Sequence, residues 1–137
     1  MNTGILHRRW SETQPEIYDK ENRYVRMDII AEPHDDEGVS VPGFSYVEVQ
    51  IDNLIDYGHI KSQLIEAAFP KKDEFAMSIN AARAVVDTAK DSSSWASFKN
   101  ALAENEDIAK FNEFNEYRDM CGVTAYRIFR MYNNTND

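Results

Sequence analysis

Cysteine is almost missing from this sequence: one thiol, Cys121, in 137 residues. A lone thiol excludes an intrachain disulfide and a metal cluster built on thiolates. Glycine is also scarce, with five scattered copies. No glycine-rich loop can therefore cradle a phosphate, and neither a zinc-protease HExxH pattern nor a nucleophile elbow occurs. No apolar run approaches the roughly eighteen residues that span a bilayer. The opening MNTGILHRRWSETQPE lacks the apolar centre of a secretory signal. A cytoplasmic site of synthesis and no membrane partner are the expectation.

Positive charge is the other shortage. Fifteen Lys and Arg face twenty-four Asp and Glu, a formal charge of -9. Residues 1–50 carry ten acids against five bases, and residues 51–137 fourteen against ten. The negative charge is spread along the chain. A general nucleic-acid binder needs a basic face for phosphate contacts, so that class is set aside. His7-Arg8-Arg9-Trp10 is the one basic cluster near the start. It reads as a charged strand end with one aromatic rather than a phosphate grip.

Apolar residues make up 42% of the chain and aromatics 12%, enough for a core at this length. A single domain over residues 1–137 is expected. The fold class is α+β: a small N-terminal antiparallel hairpin or sheet packed against three to four C-terminal helices. Residues 23–31 alternate, with Val25, Met27, Ile29 and Ala31 on one face. Pro33 to Gly38 reads as a polar linker with turn residues. Ser45, Val47, Val49 and Ile51 then alternate with Phe44, Tyr46, Glu48 and Gln50. The two segments are expected to pair across a long loop, with a third short strand within residues 5–10.

After residue 55 the period changes from two to about 3.6. Tyr57, Ile60, Leu64, Ala67 and Ala68 form one helical stripe, which Pro70 stops. Asp73 is placed as the next cap. Phe75, Ile79, Ala82, Val86 and Ala89 form the second stripe, through residue 90. Asp91 to Ser94 end that helix and cap another, which carries Trp95, Phe98 and Leu102. A kink or short loop is expected over 104–107. A last helix carries Ile108, Phe111, Phe114 and Cys121. Val123 to Tyr132 reads either as a strand, from Gly122 and the β-branched Val-Thr pair, or as the continuation of that helix through Tyr132, with the helix preferred. Residues 133–137 are expected to be a frayed tail.

Few side chains suggest chemistry. Asp56 and His59 stand three apart at a helix start. As a cap, Asp56 is already engaged by free backbone N–H groups. His59 is then a first-turn residue with no Ser or Cys motif beside it. His34-Asp35-Asp36-Glu37 offers one nitrogen and three carboxylates, but its spacing fails the calcium-loop pattern. No catalytic residue, metal or cofactor is assigned. Cys121 reads as a small core hydrophobe. Trp95, Phe98, Phe111, Phe114, Tyr117, Tyr126 and Phe129 are a surplus of aromatics in the second half. They fit a subunit interface or an ordinary core. A protein partner or self-association is the expected mode of action.

Three segments carry a family resemblance. They are Phe44-Ser45-Tyr46-Val47-Glu48-Val49, then Tyr57-Gly58-His59-Ile60 with Leu64-Ile65-Glu66-Ala67-Ala68-Phe69-Pro70, then Asp73-Glu74-Phe75-Ala76-Met77. Together they resemble small tail-region accessory proteins encoded by phages and prophages of gut Bacteroidetes. Glu113 to Arg118 is similar to the closing helix of those proteins, and the likeness covers about residues 22 to 120. The chain departs from the pattern at Gly122-Val123-Thr124. The resemblance implies a virion-associated or assembly role and brings no catalytic residue. Two other classes stay open: an acidic, host-directed module that imitates nucleic acid, and a small hydrolase using Asp or Glu with His34 or His59.

Overall fold

The computed structural model describes residues 1–134. A small N-terminal antiparallel sheet system of four and two strands packs against four C-terminal helices. The main sheet has the order β1-β6-β3-β2. Its strands are β1 (Arg9–Ser11), β2 (Tyr18–Asp19), β3 (Tyr24–Ala31) and β6 (Phe44–Gln50). Between β3 and β6, β4 (His34–Asp36) and β5 (Val39–Val41) make a separate two-stranded ladder.

The alternation read from β3 and β6 sets the sheet faces. Val25 pairs with Val49 and Met27 with Val47, and all four side chains are buried. The opposite face pairs Arg26 with Glu48, whose side chains form an ion pair at 2.9 Å. The period-two pattern fails after Met27, where the register shifts. Asp28 there has φ 51°, a left-handed conformation that costs non-glycine residues. Arg8 holds the bulge from outside: its guanidinium donates to the Asp28 carboxylate at 2.8 Å and carbonyl at 2.7 Å. Ile30, beyond the bulge, is exposed.

The third short strand is β1, at residues 9–11 instead of within 5–10. The expected polar linker at 33–38 is corrected to a β-hairpin. Glu37 and Gly38 both have positive φ, 50° and 82°. That is the signature of a two-residue primed turn, whose twist matches the flanking strands.

Helix α1 (Tyr57–Ala68) follows its stripe closely. Ile60, Leu64 and Ala68 are buried, while Tyr57 stays partly exposed. Phe69 leaves the helix in an extended conformation. Its ring meets Phe114 and Tyr117 edge-on at 5.1 and 5.3 Å. Gly4 seals this end of α1. A Cβ on Gly4 would lie 2.1 Å from the Ala68 carbonyl oxygen, and the Ile5 amide donates to that same oxygen at 2.9 Å.

Helix α2 (Lys71–Asp91) starts two residues before the expected cap. Pro70 is its N-cap residue and makes no side-chain cap bond. Asp73 lies inside the first turn with Glu74, where carboxylates favour the exposed N–H end. Helix α3 (Trp95–Glu104) opens with a capping box between Ser94 and Ser97. Asn105 then closes α3 and caps α4 (Glu106–Asn134), its side-chain oxygen accepting from Asp107 and Ile108. At 29 residues, α4 spans about 40 Å. It settles the ambiguous segment 123–132 as helix. Asn133 and Asn134 belong to α4 as well, and positions 135–137 of the expected tail lie outside the described residues.

The core sits between the sheet, α1 and the second half of α4. Phe114, Tyr117, Cys121, Ala125 and Ile128 join the buried residues of β3, β6 and α1. The Tyr117 hydroxyl donates to the Leu64 carbonyl at 2.6 Å, so its one polar atom is satisfied inside the core. Burial pushes the Cys121 thiol up to about 12. A thiol held that firmly protonated is an inert hydrophobe, not a nucleophile.

Candidate interaction surfaces

His59 has a partner that the sequence spacing does not reveal. The Asp56 carboxylate accepts from the His59 backbone amide at 3.1 Å and serves as the α1 cap. The imidazole Nε2 instead meets the Asp52 carboxylate at 2.6 Å. The His59 contact, and then the Leu54 amide, hold the Asp52 carboxyl below its usual range. Gln63 completes the arrangement: its side-chain oxygen accepts from the Asp52 amide at 2.9 Å, and its amide nitrogen donates to the Asp52 carboxylate at 3.4 Å. These contacts fasten the β6–α1 loop onto the first two turns of α1.

A histidine and a carboxylate in contact are two parts of a hydrolytic triad. The third part, a hydroxyl or thiol bonded to the imidazole, is not found among the described residues. His34 is equally distant from chemistry. It lies on β4 and stacks on Trp10, ring centroids 4.1 Å apart. Among the described residues no group of three or more His, Cys, Asp or Glu could hold a metal ion. No helix among them is long and apolar enough to cross a membrane.

The seven aromatics proposed for an interface divide. Phe114 and Tyr117 are corrected to core residues: both are fully enclosed by α1, α4 and Phe69. Phe111 packs against that core from its edge. Phe98 and Phe129 are half-buried. Trp95 and Tyr126 remain outside, 71% and 51% exposed.

Helix α2 shows the largest departure from the stripe read in sequence. The side facing the molecule centres on Met77, Ala81, Ala84 and Thr88; of the expected stripe Phe75, Ile79, Ala82, Val86 and Ala89, only Ile79 is as much as half-buried. The two sets are offset by two residues, about 200° around a helix. Small alanines at 81 and 84 let α2 lie close to α4. The larger apolar groups then point outward: Phe75 is 67% exposed and Val86 52%. Helix α3 buries no residue. Together α2 and α3 present Phe75, Val85, Val86 and Trp95 to solvent. Phe75 and Val86, eleven residues apart, share one side of α2, and an exposed apolar face marks a contact surface more often than single scattered groups do.

A second surface lies between α1 and α4. It is an open groove of about 670 Å³ lined by Tyr57, Lys61, Asp119, Gly122, Val123, Tyr126 and Arg127. Its sequence signal was Gly122, a glycine in a helix interior, where it costs about 1 kcal/mol relative to alanine. With no side chain at 122, Tyr57 and Lys61 cross α4 at close range.

No family model matches the chain, and neither does any curated protein or solved structure compared with it.

Proposed function

We propose that this chain is a structural or interaction protein: an assembly component, of the virion- or tail-associated kind, whose copies associate through the outer face of α2 and α3. The observation that carries this reading is Trp95 on α3, 71% exposed, together with Phe75 on α2 at 67%. A solvent-facing aromatic on each of two successive helices contributes nothing to the chain's own core. Buried against protein, such side chains become the anchors that dominate contact energies. The resemblance to phage tail-region proteins supports the same reading, and so does the scarcity of the groups that chemistry needs.

Sedimentation velocity tests it. The chain should grow in mass with concentration, and the double variant Phe75→Ser with Trp95→Ser should associate at least tenfold more weakly, with an unchanged circular dichroism spectrum. A chain that remains monomeric at every concentration would sink the reading.

A further inference from the structure

The molecule displays two further surfaces that complement each other. One is the groove between α1 and α4. In a chain of net charge -9, this groove holds two cations, Lys61 and Arg127. Neither makes an ion pair or hydrogen bond among the described residues. Asp119 is the one acid on its rim, and Tyr57, Val123 and Tyr126 supply apolar walls. Unpaired cations beside exposed apolar groups suit an occupant that offers a carboxylate and an apolar side chain together. The groove is also open-sided. Small-ligand sites enclose most of their ligand, so a protein protrusion suits it better. A second depression of about 320 Å³, sharing Val123 and Arg127, extends it towards Gln14, Pro15 and Ile17.

The other surface is the β4–β5 hairpin, an arm exposed over nearly its whole length. Its tip reads Asp35-Asp36-Glu37, three acids with no ion pair or hydrogen bond from their side chains among the described residues. Asp36 pairs across the ladder with Val39, so a carboxylate and an apolar group share one face. Val39 is 64% exposed. The arm is fixed at its root. Glu32 donates its amide to the Gly43 carbonyl at 2.9 Å, the Trp10 indole donates to the Glu32 carbonyl at 2.7 Å, and Trp10 stacks on His34. Glu37 sits in a left-handed conformation that glycine or asparagine would adopt more readily. The turn thus carries a third carboxylate at a conformational cost.

We propose that the acidic arm of one copy docks in the cationic groove of the next, giving a head-to-tail contact between copies of this chain. Asp36 and Glu37 meet Lys61 and Arg127, and Val39 lies against Val123 and Tyr126. Arm and groove are different patches, so the contact is heterologous and propagates into a ring or a filament unless it is capped. It builds on the assembly reading by adding a contact separate from the α2–α3 face.

Charge reversal in halves tests it. One variant carries D35K, D36K and E37K; the other carries K61E and R127E. All five positions are surface side chains, and thermal melts check that each variant folds. K61Q with R127Q serves if the glutamates disturb α1. In sedimentation velocity at low salt, wild-type chain should form species beyond the dimer. Raising salt to about 0.5 M should weaken this, because screening shortens the reach of charge to a few ångströms. Each variant alone should associate at least tenfold more weakly. An equal mixture should regain growth as an alternating chain, since the acidic arm meets the unchanged groove and the reversed arm meets the reversed groove. A chain carrying both reversals should regain growth. Variants that associate as wild type does, or a mixture that stays monomeric, would overturn the arm contact. If association is undiminished in both charge variants and is lost only with Phe75→Ser and Trp95→Ser, the arm contact falls and the assembly reading stands. If wild type never associates, both fall.

Discussion

Helices α1 and α2 carry apolar stripes of the same spacing and treat them oppositely. Helix α1 turns Ile60, Leu64 and Ala68 onto the sheet and α4, where they are buried. Helix α2 turns Phe75 and Val86 to solvent and packs through Ala81 and Ala84. Both helices are amphipathic. The difference lies in what each covers: α1 completes a core already assembled by β3, β6 and α4, whereas α2 flanks that core, touching it through Met77 and burying only the small Ala81 and Ala84. An apolar stripe therefore identifies a helix and one of its faces. It does not say whether that face is covered by the same chain.

The sharpest way to break this comparison is to truncate an aromatic on each side. Tyr117→Ala removes a fully buried ring and its bond to Leu64, and should cost about 4 kcal/mol in urea unfolding. Phe75→Ala should stay within about 0.5 kcal/mol for the monomer. Similar losses at both positions would mean that α2's outer face is part of the folded core. A smaller effect comes from the α3 cap. Ser94→Ala removes half of the capping box and should cost about 1 kcal/mol. Hydrogen exchange should then quicken in α3 and leave residues 114–128 protected. The smallest effect is expected at the loop before α1. The Asp52 carboxyl is held below its usual range. A depressed carboxyl contributes its stabilisation above the ordinary value of about 3.9 and loses it as pH falls through the lower folded value. Asp52 is exposed, so Asp52→Asn should flatten the acid limb of a stability profile only slightly.

Much of the fold was legible from periodicity and punctuation. The β3 and β6 alternation, the Asp56 cap, the stop at Phe69-Pro70, the Ser94 cap and the break before Glu106 all rest on local chemistry that sequence displays. Four features were not. The Asp28 bulge depends on Arg8, twenty residues away, and no local pattern announces it. The β4–β5 hairpin hides behind a glutamate in a conformation usually reserved for glycine or asparagine. Of the candidate interface, Trp95 and Tyr126 could be picked as aromatics, but burial of Phe114 and Tyr117 required knowing that α1 crosses α4 there. The Asp52–His59 contact was missed for a related reason. Asp56 sits one turn from His59 and drew the pairing, while the imidazole reaches back across the loop.

The stack of Trp10 on His34 gives the molecule a built-in optical reporter. The chain holds two tryptophans, one at the root of the acidic arm and one on the exposed face of α3. Trp95, open to water, should emit at long wavelength and be quenched readily by iodide. Trp10, half-covered by an imidazole and lying over Gly43, should emit further to the blue and resist it. In a Trp95→Phe chain, the remaining fluorescence reports the arm alone, so its docking is readable without any attached dye.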